Sequence, residues 1–71
     1  MKEYTVIYER GTRNWSAYVP DLPGCVATGK TRRELEKQMR KAIEFHIEGL
    51  EQSGQPVPEP TVVAGTVKIP A

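Results

Sequence analysis

The stretch Thr31–Ser53, TRRELEKQMRKAIEFHIEGLEQS, decides how the chain folds. Thr31 is a good N-cap residue, and Glu34 stands three positions later, which is the Thr-x-x-Glu pattern of a capping box. Leu35, Met39, Ala42, Ile43, Ile47 and Leu50 then recur at helical spacing. Gly54 sits where a C-terminal glycine belongs, and Pro56 cannot continue a helix. This spacing predicts a single helix. The flanking segments on both sides read as strands, so the helix must cover a sheet.

Working outward towards the N-terminus, Tyr4–Glu9 alternates, with Tyr4, Val6 and Tyr8 on one face and Thr5, Ile7 and Glu9 on the other. Gly11-Thr12-Arg13-Asn14 has turn chemistry, and Trp15–Val19 alternates again, with Trp15, Ala17 and Val19 on one face. The short connection makes these two strands an antiparallel hairpin. Pro20-Asp21-Leu22-Pro23-Gly24 forces an irregular turn, and Cys25–Thr28 is a short third strand. Beyond the helix, Pro56, Pro58 and Pro60 favour an extended path, and Thr61–Ile69 is β-rich, predicting a fourth strand. The expected order is β-β-β-α-β, an α+β fold. A right-handed crossover would lay the fourth strand parallel to the first, on the open edge of the hairpin. A helix of this length is roughly 30 Å long, and a strand of five or six residues roughly 17–20 Å. The helix is therefore expected to overhang the sheet. One sheet face stays uncovered, carrying either Tyr4, Val6 and Tyr8 or Thr5 and Ile7, and an exposed apolar face marks a contact surface.

The 71 residues make one domain, 1–71. So small a domain buries only roughly 60% of the surface its unfolded chain exposes. A single cysteine excludes an internal disulfide, and the sequence offers no Cys/His cluster for a metal. With the usual staples missing, self-association as a homodimer or larger even oligomer is expected. A formal net charge of +1 gives no bulk signal for nucleic acid or membrane. No apolar run resembles a signal peptide or a membrane span, so a cytoplasmic protein is expected.

Catalytic residues are not expected. His46 falls within the apolar stripe, and its sequence neighbours Glu44 and Glu48 point to other faces of the helix. A catalytic histidine needs a partner within hydrogen-bond reach. Cys25 reads as a buried apolar thiol, and Asp21 as a residue bonding its own turn. The charges say more. Lys30, Arg32, Arg33, Lys37, Arg40 and Lys41 crowd the first half of the helix, and Glu44, Glu48 and Glu51 the second. That order opposes the helix dipole, which favours acids first by roughly 0.3–1 kcal/mol each. It describes either a solvated face or a bipolar surface for a charged partner.

The run Pro20-Asp21-Leu22-Pro23-Gly24-Cys25, then Gly29 and Thr31 opening a helix, then Ala42-Ile43-Glu44, His46, Leu50, Gly54 and the prolines, resembles the signature of HicB-type antitoxins. The resemblance covers about Tyr4 to Pro60. It implies a truncated ribonuclease-H-like fold and a non-enzymatic protein without cofactor. It also implies homo-oligomers that bind and neutralise HicA, a small basic mRNA-cleaving toxin. Many members carry a C-terminal DNA-binding domain; none is read here, so direct DNA binding is not expected. Ribonuclease H chemistry needs clustered carboxylates on two metal ions, and the strands offer only Glu3 and Glu9. The expected toxin-binding patch is Glu44, Glu48 and Glu51, joined by Glu59 from the tail. The sheet face with Tyr4 and Tyr8 is the alternative. A competing reading is a nucleic-acid-binding module using the basic half of the helix, and a third a degenerate hydrolase using Asp21 and His46.

Overall fold

In the computed structural model, which describes residues 2–71, three strands precede one helix: β1 Ile7–Arg10, β2 Trp15–Tyr18, β3 Val26–Gly29 and α1 Arg32–Gln52. The sheet order is β1-β2-β3, both pairs antiparallel. Tyr8 stands opposite Ala17, and Ala17 opposite Ala27. The alternation therefore sends Tyr8, Trp15, Ala17 and Ala27 to one face and Ile7, Ser16, Tyr18 and Val26 to the other. The helix packs on the first of these, across β2 and β3.

The helix is the one read from the sequence. Thr31 is the N-cap in an extended conformation, and its hydroxyl accepts from the Glu34 N–H at 3.1 Å. That is one half of the capping box; the Glu34 carboxylate makes no return bond to Thr31 among the described residues. Thr31→Ala should therefore cost about 1 kcal/mol, read as a shift of the urea midpoint; an unchanged midpoint would mean that the cap contributes nothing. At the other end Gly54 has φ +71°, a left-handed conformation that glycine adopts without strain. Its N–H donates to Glu51 O at 3.1 Å and the Gln55 N–H to Leu50 O at 2.9 Å, closing the Schellman motif.

Leu35 and Met39 are fully buried in a core with Ala17, Val19, Leu22 and Cys25. Ala42, Ile43 and Ile47 continue the stripe half-buried. The irregular turn after β2 supplies Leu22 to this core. It is tied by backbone bonds, Leu22 N–H to Val19 O (3.1 Å), Cys25 N–H to Leu22 O (3.0 Å) and Val19 N–H to Cys25 O (3.1 Å), with Gly24 at φ +87°. Gly29 lets the helix start close in: a Cβ there would lie 3.2 Å from that of Leu35. The helix does overhang the sheet, and Phe45 on its outer side is 79% exposed.

The fourth strand is a correction. Residues 61–69 join no ladder in the single chain. The β-rich composition reported a segment suited to a sheet, but a strand exists only where a second backbone offers its N–H and C=O groups. The expected first strand is also shorter at its start, since Tyr4–Val6 lies before the paired segment.

Candidate functional site: a bipolar helix and a pinned tail

Asp21 is the residue that sequence reasoning placed wrongly. Its carboxylate turns away from its own turn, whose backbone bonds already close it, and takes hold of the tail. Oδ2 accepts from the N–H of Thr61 at 3.0 Å and of Val62 at 3.1 Å, while the Thr61 hydroxyl donates to Oδ1 at 2.8 Å. The partners lie 40 and 41 positions away in sequence, so no local pattern signals them. Two more bonds pin the same segment. The Tyr4 hydroxyl donates to Pro58 O at 2.6 Å, and the Thr5 hydroxyl to Val62 O at 2.7 Å. Glu59 pairs with Lys2 at 3.2 Å, Glu59 largely and Lys2 partly exposed. The prolines keep this crossing extended, which suits a segment held by side chains rather than by a ladder.

The Val62 N–H is the main cause that holds the Asp21 carboxyl below its ordinary 3.8; partial desolvation opposes it, and Thr61 adds to the lowering. A carboxylate favoured in the folded state stabilises it above that ordinary value, and the contribution is lost as pH falls through the depressed one. The amide shifts of Thr61 and Val62 should accordingly titrate together below pH 3.8. In Asp21→Asn that titration should vanish, with the helix amides of Leu35 and Met39 unaffected. Tail shifts identical in the two proteins would show that the clamp is not formed.

The basic half of the helix is less uniform than its sequence. Arg32 is engaged, with Nε 3.2 Å from Glu36 Oε1 and its guanidinium carbon 4.9 Å from the centre of the Tyr8 ring. Arg33, Lys37, Arg40 and Lys41 line a shallow exposed flank together with Glu36 and Glu44. Lys30 lies at the hairpin mouth near Arg10, Arg13 and Trp15; the two arginines extend the basic end and were missed because they lie far before the helix in sequence. Glu44, Glu48 and Glu51 are exposed on the second half of the helix. Glu48 accepts from Gln52 Nε2 at 3.3 Å. Phe45, also missed, is an exposed aromatic on the same half of the helix, three residues before Glu48.

Tyr4 and Tyr8 are not on the open sheet face. They lie half-buried on the helix side, packed against the core. Burial raises the Tyr8 pKa, as does the charge of Glu36, while Arg32 opposes them. The open face carries Ser16, Tyr18, Val26 and Thr28. Beside the helix, Val6, Tyr8, Met39 and Ile43 floor a groove of about 420 Å³ along β1. Cys25 is a buried free thiol whose pKa burial pushes up, and His46 is half-buried without a bonded carboxylate among the described residues. Among the described residues no group of three or more His, Cys, Asp or Glu side chains is placed to hold a metal. No helix among them is long and apolar enough to cross a membrane.

Comparison with known proteins bears on what such a surface does. Three curated relatives are similar at 34–35% identity. A UPF0150 protein of Thermoplasma acidophilum matches over 57 residues, 79% of this chain and 83% of the relative. Another UPF0150 protein, from Synechocystis, matches over 67 residues, 93% of this chain and 85% of its own. An uncharacterised 14.9 kDa protein of Haemophilus phage HP1 matches over 56 residues, and there the chain spans only 42% of the relative's length. The family model for HicB-like antitoxins of bacterial toxin–antitoxin systems matches residues 4–71, taking in the turn, the helix and the pinned tail alike. The chain belongs to the HicB-like antitoxin family.

Proposed function

We propose that this protein neutralises a small basic mRNA-cleaving toxin of the HicA type by binding it, in the cytoplasm, without itself catalysing a reaction. Family membership implies a toxin partner and a non-catalytic role. The observation that carries the finer reading is the acidic half of the helix, where Glu44, Glu48 and Glu51 stand exposed on one flank and Phe45, also exposed, lies beside Glu48. A basic partner meets there both an attractive field and an aromatic anchor, the combination that speeds encounter and then holds a complex. Glu59, paired with Lys2, stands at the edge of this reading. Self-association belongs to it too, as does a truncated ribonuclease-H-like relation once a fourth strand is supplied.

The test is co-expression with a HicA-type toxin, taken from the neighbouring open reading frame where that encodes a short basic protein. Growth arrest by that protein alone, relieved when this chain is present, with the two co-purifying, is the expected outcome. Persistent arrest with no complex would overturn the reading. The second reading, nucleic-acid binding, is favoured by the basic end, where Arg33, Lys37 and Lys41 are exposed and Arg10, Arg13 and Lys30 gather at the hairpin mouth. It requires RNA or DNA affinity whose logarithm falls linearly with the logarithm of salt concentration.

A further inference from the structure

The geometry points to reciprocal strand exchange: residues 63–69 of one copy lie along β1 of a second copy and fill the groove between that β1 and α1. The inference rests on the self-association named above and is independent of the toxin. Four features carry it.

First, the arm is amphipathic at the period of a strand. Val63, Gly65, Val67 and Ile69 fall on one face, and Ala64, Thr66 and Lys68 on the other. Second, the apolar face is bare. Val63 is 89% exposed, Val67 83% and Ile69 74%, and a row of exposed apolar residues on one face marks an interaction surface. Third, β1 has an edge left unpaired among the described residues, where it is hydrogen-bonded to β2 alone. Beside that edge lies the groove floored by Val6, Tyr8, Met39 and Ile43. An added strand there satisfies the free backbone groups of β1 and lays alternate valines over those side chains. Fourth, the arm leaves from a fixed point. Asp21, Thr5 and Tyr4 pin residues 58–62, and the prolines stiffen the approach. A stiff pinned hinge holds the arm out rather than folded back, the situation that favours exchange of an element between identical chains. With the exchange reciprocal, each copy seating its arm in the groove of the copy whose arm it receives, a two-fold axis relates the copies and the arrangement closes at two.

The occupant is therefore a second copy of this chain. Light scattering of the full chain at micromolar concentration should return a dimer mass. The double variant Val63→Asp with Val67→Asp should weaken dimerisation about a hundredfold or more, because two apolar side chains lose a buried site and two charges would have to enter it. Both positions are exposed in the single chain, so the variant should keep its helical circular dichroism. To locate the arm, a Val67→Cys chain is mixed with an Arg40→Cys chain and treated with a short bis-maleimide. Cys25 is buried and stays silent. A covalent pair containing one of each is expected. A monomeric wild type, or a dimer indifferent to the double variant, would overturn the exchange. So would cross-linking of Val67→Cys chains to each other in preference, or an intramolecular link alone when both substitutions share one chain. A monomeric wild type would also remove self-association from the proposed function, whereas toxin neutralisation itself is read separately by growth.

Discussion

Leu22→Ala is expected to remove most of the stability of the domain, about 3 kcal/mol within the 2–5 typical of a buried leucine. At 0.05–0.15 kcal/mol per residue a chain of this size has only about 5 kcal/mol in all. Leu22 is 0% exposed although it sits in a turn between two prolines. It joins Val19, Leu35 and Met39 as one of the largest fully buried side chains. The void cannot close easily, because backbone bonds from Val19 to Cys25 fix the turn on either side. The urea midpoint should fall steeply at constant slope, and Leu22→Met, which keeps the volume, should cost under about 1.5 kcal/mol. A loss below about 1 kcal/mol for the alanine variant would show that the turn lies outside the core.

The second large effect concerns the partner. Reversing Glu44, Glu48 and Glu51 to lysine should slow association with a cognate toxin by about tenfold or more at low salt, within the range over which steering acts. The salt dependence should flatten or invert. Three lysines at these spacings repel one another as three glutamates do, by a few tenths of a kcal/mol per pair, and cations suit the C-terminal end of the helix dipole, so the isolated protein should lose little stability on reversal, which separates binding from folding. Phe45→Ala should act on the other rate. Truncating an anchor leaves encounter unchanged and speeds dissociation. An unchanged association rate at low salt in the triple variant would move the interface to the open sheet face around Tyr18 and Val26.

The helix was legible because its signals are local. A cap, a periodic stripe and a terminal glycine all lie within one stretch, and each has its expected place in the structure. The face carrying Trp15, Ala17 and Val19 was legible for the same reason. The tail was not. Thr61–Ile69 has the composition of a strand, but composition describes the segment, and pairing depends on where an edge is free. Asp21 shows the same limit: a turn aspartate has enough acceptor sites to serve either its own backbone or a distant one, and only the fold chooses. Tyr4 and Tyr8 were assigned to a docking face by alternation alone, which tells which residues share a side but not which side the helix takes. Phe45 stands between the stripe residues Ile43 and Ile47 and passes unnoticed until its exposure is known.

The clamp of Asp21 on Thr61 and Val62 also sets an order of events during synthesis. The strands are consecutive in sequence and antiparallel, and the helix packs on the strand that precedes it, so these contacts close short loops and form early. The clamp spans 40 residues and cannot close until Val62 has left the ribosome. A nascent chain therefore carries a formed sheet and helix before its C-terminal arm has any fixed direction, and the last step of folding is the one that aims the arm.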